Sequence, residues 1–381
     1  MQPNTHHLKN TVIASIPEIT ADWLTGALRR SGALPQGHVL SVTTQPHDHH
    51  MGYVSETIAH LTPRYSTDAP ASAPRHLLWK YYNNHDGAVE VSFYNIVATL
   101  PEPVPGMVPC YEAVYDPESG GSHCLLANLS ATHQIPLTRA QVLAGEGVPT
   151  PQHLEQIMDS LARFHAYWWE HPLLGTVPDT LEVRWWYRDR EHFDKHILRR
   201  QNNWATFLSQ AGGTLPPELH QLYEHALANL PRLWERYFAP RVTGFRQLTL
   251  SNGDGYFNQY LCPTSDAATS AYLIDFQDFS ANFGANDLVY LLPTFWSPEQ
   301  RHEQSREEQA LRRYHQTLCA HGVTGYTWDD LMTDYRLMIT LMIFVPVWDQ
   351  TEGADREYWW LKMRCLTAAY QDLECAKLFE A

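Results

Sequence analysis

Residues 248–261, LTLSNGDGYFNQYL, hold the side chains best placed for chemistry. A short apolar run leads into Asn252-Gly253-Asp254, and Asn258 follows four residues after the aspartate. A second apolar run, AYLID, ends on Asp275. Two carboxylates at strand ends, with a carboxamide between them, suit one reaction type. One carboxylate can orient or deprotonate a hydroxyl. The other, with the carboxamide oxygen, can hold a hard cation such as Mg²⁺, which takes few protein ligands and leaves room for phosphate oxygens and water. Phosphoryl transfer needs those parts, and a lysine on the phosphates as well. HLLWKYY (76–82) supplies a candidate in Lys80, the only charged residue of an otherwise apolar strand. Glu90 opens a stretch of helical spacing in which Val89, Phe93, Ile96, Val97 and Leu100 recur.

Taken in order, these segments resemble the aminoglycoside phosphotransferase and choline kinase-like superfamily, most closely its bacterial ecdysteroid kinase-like branch. NGDGYFNQYLCP, AYLIDFQDF and NDLVYLL are similar to its His-Gly-Asp…Asn, Ile-Asp-Phe and Asp-Leu segments. MGYVSETIAHLT (51–62) resembles the hairpin that covers the nucleotide. EVSFY (90–94) resembles its Glu-x-x-Phe-Tyr helix, and LLANLSATH its linker beside adenine. The resemblance spans roughly residues 50–345. It implies an ATP- and Mg²⁺-dependent enzyme that phosphorylates a hydroxyl of a small molecule. Asp254 is then the catalytic aspartate, and Asn258 and Asp275 hold the metal. Lys80 holds phosphates and is oriented by Glu90. Gly52, Tyr53, Val54, Ser55, Leu126 and Asn128 contact the nucleotide. Two departures stand out: Asn252 replaces the usual His, and Ala127-Asn128 replaces an acidic pair. They motivate the alternative, a non-catalytic kinase-like protein that binds nucleotide or a small ligand.

The elements needed to position these residues are legible around them. The implied class is α+β and protein-kinase-like. A small antiparallel-sheet lobe covers 1–125, a hinge 126–132, and a larger, mainly helical lobe 133–381. Helices are expected over 16–31, 88–100, 151–170, 217–237, 299–321, 327–345 and 355–378. Strands are expected on both sides of Met51-Gly52, at 76–82 and from 123. Asp287 reads as a helix cap, His165 as a core histidine, and HDHH (47–50) as a solvated loop. RWWYRDREHF (184–193) suits either a substrate pocket or helix packing.

Composition narrows the partners. The 381 residues carry a formal net charge of −15, which excludes the basic footprint of a nucleic-acid binder. The six cysteines form no CxxC pair and read as reduced thiols of a cytoplasmic protein. The first ten residues have no apolar leader, and the run 337–348 reads as a buried helix rather than a membrane span. The expected partner is a small-molecule hydroxyl acceptor. Composition does not say which one, and it leaves the oligomeric state open.

Overall fold

The computed structural model describes residues 11–47, 56–176, 181–211, 213, 215–265 and 270–380. The chain forms two units: Met1–His133 with Asp275–Asp278, and Gln134–Ile274 with Phe279–Ala381.

The first unit is built on strand alternation. Strands β1 (Val39–Pro46), β2 (Glu56–Tyr65), β3 (Leu77–Tyr82), β4 (Cys110–Tyr115) and β5 (Ser122–Ala127) form one antiparallel sheet in the order β1-β2-β3-β5-β4. Successive side chains of a strand point to opposite faces. Leu77 and Trp79 therefore share one face. They are buried with Leu61, Leu125 and the apolar stripe Leu24, Ala27 and Leu28 of helix α1 (Ala21–Arg30). Lys80 and Tyr82 take the other face, where helix α2 (His85–Ala98) packs on β3, β4 and β5.

α2 begins three residues before the expected start because Asn84 caps it, its side chain accepting the Gly87 N–H at 3.3 Å. Strand β4 was not anticipated. Its inward positions include Glu112, buried against Arg30 and His123. A carboxylate at an inward position breaks the apolar alternation that marks a strand.

The second unit is mainly helical. Its short strands are β6 (His133–Gln134, where the division between units falls), β7 (Thr249–Ser251), β8 (Tyr260–Pro263), β9 (Tyr272–Leu273) and β10 (Ser280–Asn282). β7 pairs antiparallel with β10, and β8 with β9. The helices are α3 (Arg139–Leu143), α4 (Pro151–Trp168), α5 (Arg190–Ala211), α6 (Pro217–Asn229), α7 (Ala239–Val242), α8 (Ala285–Leu291), α9 (Pro298–His302), α10 (Arg306–Ala320), α11 (Trp328–Met342), α12 (Val345–Thr351) and α13 (Arg356–Asp372).

α4 starts on a Thr150 cap with Pro151 in its first turn, and buries Leu154, Ile157, Leu161, Phe164 and Trp168 along one stripe. α11 starts on a capping box of Thr327 and Asp330. The single helix expected over 299–321 is two, separated at Gln304 and Ser305, which take φ of 51° and 53°. By length and composition alone, Trp328–Thr351 could cross a membrane. It is mostly buried in the protein, and it divides into α11 and α12 just before Pro346. The α+β class expected from the sequence is met: an antiparallel five-stranded unit with one helix between its third and fourth strands, followed by a larger, mainly helical unit.

Candidate active site

In the first unit, the face of β3 that carries Lys80 and Tyr82 meets the face of α2 that carries Glu90. Lys80 Nζ lies 3.1 Å from Glu90 and 2.8 Å from Asp275 Oδ1. The Tyr82 hydroxyl also donates to Asp275 Oδ1, at 3.3 Å. The lysine side chain is 8% exposed and the Glu90 side chain 1%. Burial opposes the charge on Lys80, but Asp275 and Glu90 outweigh it and hold the ammonium protonated well above its ordinary range. Burial raises Glu90, and Lys80 pulls it back.

The two carboxylates are fixed by their neighbours. Gly87, one turn before Glu90, allows α2 to approach the sheet: a Cβ there would come within 2.3 Å of Tyr82 Cβ and 2.1 Å of Ser122 Oγ. Asp275 is anchored through the next residue, Phe276, which stacks on Phe93 of α2 with ring centroids 4.0 Å apart. Asp275 itself has φ of 65°, a left-handed conformation that Asp tolerates better than most residues. Residues held this way cluster at functional sites.

Leu126 is buried in β5 and pairs with Leu78 and Cys110. Asn128 shapes the exit from that strand. Its side-chain nitrogen meets His60 Nδ1 at 2.8 Å, its oxygen accepts the Ser130 N–H at 3.0 Å, and its backbone N–H donates to His76 O at 3.1 Å. Gly52, Tyr53, Val54 and Ser55 lie outside the described residues, as do residues 48–50 of the histidine stretch.

In the second unit, β7 ends at Ser251 and the chain turns through Gly253, whose φ of 88° favours glycine. Asp254 follows, half-buried, and its carbonyl accepts the Tyr256 N–H at 2.8 Å. Asn258, also half-buried, sits in the helical turn Phe257–Gln259. Asn252 braces this loop. Its Nδ2 donates to Ile274 O at 3.2 Å, and its Oδ1 accepts the Asp254 N–H at 3.3 Å. Ile274 N in turn donates to Gln259 O at 3.0 Å. The residue just before Asp275 in the chain is thus tied to both ends of the Asn252–Gln259 loop.

Asp287 is not a helix cap. α8 has no side-chain cap bond, and the fully buried Asp287 carboxylate turns to the loop instead. It accepts the backbone N–H groups of Asn252 at 2.9 Å and Gly253 at 3.2 Å, and the Ser251 hydroxyl at 2.5 Å. His165 Nε2 lies 3.1 Å from it, and His165 Nδ1 lies 2.7 Å from the Tyr314 hydroxyl. Burial pushes the Asp287 carboxyl up, but His165, Ser251 and the Asn252 N–H outweigh burial and hold it below the usual carboxylate range. His165 is buried as expected, and it also positions the group that positions the loop. Arg184, from the stretch left between pocket and packing, donates to Gly253 O at 3.2 Å.

The oxygen donors fit Mg²⁺ by their chemistry. Asp275 offers a carboxylate and Asn258 a carboxamide. Among the described residues no group of three or more His, Cys, Asp or Glu side chains is set to hold a metal ion.

A family model described as "Uncharacterized oxidoreductase dhs-27" matches residues 217–351, about a third of the chain. No curated protein matches. Solved structures similar to the chain include the GDP complex of aminoglycoside 2′-phosphotransferase-IIIa, at 15% identity and TM-score 0.48, covering 94% of this chain and 97% of that one. A choline/ethanolamine kinase family protein from Mesorhizobium loti is 12% identical, with TM-score 0.48 and coverage of 89% and 93%. An ethanolamine kinase from Plasmodium vivax is 10% identical, with TM-score 0.47 and coverage of 87% and 84%. The activities in these descriptions belong to those proteins.

Proposed function

We propose that this chain is an ATP-dependent phosphotransferase acting on a hydroxyl group of a small molecule. The observation that carries the reading is the buried Lys80, held between Glu90 and Asp275. Desolvating an ion costs several kcal/mol, and a well-packed apolar residue is often as stabilising as a buried ion pair. Stability alone therefore gives little reason for one lysine and two carboxylates inside a small sheet. A lysine kept charged and fixed in direction is what polyphosphate binding needs.

In this reading Lys80 binds the α- and β-phosphates, and Glu90 keeps it aimed. Asn258 and Asp275 would hold Mg²⁺, which when bound would neutralise phosphate charge. Asp254 orients the acceptor hydroxyl and takes its proton. The acceptor oxygen forms the new bond to the γ-phosphorus as the bond to the bridging oxygen breaks, leaving ADP. Asn252, Asp287 and His165 act through the loop by fixing where Asp254 stands. Most of the rate gain is then positioning and charge neutralisation.

The oxidoreductase description is a weaker guide to this chain. A dinucleotide-binding crossover fold needs a parallel sheet, and the five-stranded sheet here is antiparallel.

Calorimetric titration of Mg-ATP tests the assignment. The wild type should bind, and Lys80→Met should bind at least about tenfold more weakly, the loss of roughly 1.4 kcal/mol from one charge-assisted contact. Equal affinity in a folded Lys80→Met would remove Lys80 from the nucleotide site.

A further inference from the structure

Two residues beyond Asp254, Tyr256 opens a group of aromatic rings that phosphoryl transfer does not use. Tyr256 meets Tyr290 at 5.0 Å and Phe295 at 5.4 Å, both edge-on. Phe295 lies 6.0 Å from Tyr358 of α13. All four residues are half-buried. Ring faces gathered in this way attract ammonium groups, and boxes of them recognise quaternary ammonium ligands.

This box already holds an ammonium group. Lys362, one turn after Tyr358 on α13, places Nζ 4.0 Å from the Tyr358 ring centre and 5.6 Å from those of Tyr256 and Phe295. Asp349 of α12 meets the same nitrogen at 3.0 Å. Lys362 is 1% exposed and Asp349 7%. A lysine ordinarily lays its stem on apolar surface and carries its head to water; here the head is inside.

The box borders the catalytic loop through Tyr256. Asp349 also feels a second cation, Arg200, whose pKa is pushed down to about 10 by burial first and Arg199 next. Asp349, the carboxylate that reaches into the box, is thus already matched by Lys362.

We propose that Lys362 fills, with its own ammonium group, the aromatic box beside the catalytic loop, and so restricts the acceptor to hydroxyl compounds that carry no positive charge. The restriction on the acceptor rests on the phosphotransferase reading; the filled box does not. Lys362 is a specificity-determining residue in this account, and Asp349 its positioning partner.

The test titrates tetramethylammonium and choline into the full-length wild type, Lys362→Ala and Lys362→Met, read by calorimetry and thermal unfolding. The wild type should show no saturable binding. Lys362→Ala leaves Asp349 and an empty box. It should bind tetramethylammonium at least tenfold more tightly than the wild type and melt higher in its presence. Lys362→Met keeps the volume filled without the charge and should stay closed. Saturable binding by the wild type, or no gain in a folded Lys362→Ala, would overturn the proposal.

If Lys362→Ala folds neither alone nor with the cation, ADP release by the wild type decides. Fastest release with choline, ethanolamine or an aminoglycoside overturns the restriction and leaves the kinase standing. Fastest release with an uncharged alcohol or sugar upholds it. No release with any acceptor counts against the kinase reading, and the filled box then stands or falls with the wild-type titration, in which saturable binding of tetramethylammonium would overturn it.

Discussion

At the scale of single residues, the decisive feature is where charges are buried and what meets them. Asp287 shows this most clearly. Its carboxylate accepts from two backbone N–H groups and the Ser251 hydroxyl, with His165 alongside, all of them buried. Asp287→Asn keeps the size and loses the charge, which weakens several charge-assisted bonds at once. A loss of about 1.5–3 kcal/mol is expected in chemical denaturation at neutral pH. Because the folded-state pKa lies below the ordinary 3.8, the unfolded chain binds the proton more readily. The wild-type advantage is therefore complete above the unfolded value and disappears as pH falls through the folded one. Denaturation of both proteins from pH 7 into acid should show the two curves converging. A gap that stays constant would mean Asp287 contributes through its shape alone. The sequence placed Asp287 beside the site but pointed to a helix cap, since first-turn acids usually serve the helix dipole. Only the packing of α8 against β7 shows that the carboxylate faces the loop.

At the scale of elements, the position of Glu90 depends on how closely α2 lies on the sheet, and Gly87 sets that distance. In an exposed helix, Gly→Ala gains about 1 kcal/mol. At Gly87 the new Cβ would strike Tyr82 and Ser122 at 2.3 and 2.1 Å, and overpacking of this kind costs about 1–3 kcal/mol. The clash decides the sign, so Gly87→Ala should be destabilised and should bind Mg-ATP more weakly. Gly26→Ala on α1 is the control, because its Cβ meets only the Arg30 guanidinium, at 3.1 Å, and no backbone or ring atom. It should be neutral or more stable in the same urea titration. If both variants gained stability, close approach at Gly87 would not be what places Glu90. β3, α2 and the loop after β7 were legible because apolar periodicity and turn residues agree there. β4 was not, because Glu112 occupies an inward position. The stacking of Phe93 on Phe276, which anchors Asp275, is a contact between segments far apart in sequence, and no local pattern announces it.

At the scale of the whole molecule, the residues that the phosphotransferase reading uses are divided between an antiparallel-sheet unit and a larger helical unit. Lys80, Glu90 and Asp275 belong to the first unit; Asp254 and Asn258 belong to the second. The order of these residues was legible because each lies in or just after a strand or helix whose spacing the sequence shows. Lys362 was not, because its role comes from three rings brought together from separate segments, 256, 295 and 358. Asn252 braces the loop through Ile274 and Asp254. The most direct measurement is coupled ADP release from Mg-ATP by the wild type and Asp254→Ala, across alcohols, amino alcohols, sugars, steroids and aminoglycosides. The account predicts acceptor-dependent release by the wild type and a loss of about a hundredfold or more in Asp254→Ala, with Mg-ATP binding retained. Acceptor-dependent release that survives unchanged in Asp254→Ala would contradict it, as would a wild type that fails to bind Mg-ATP at all.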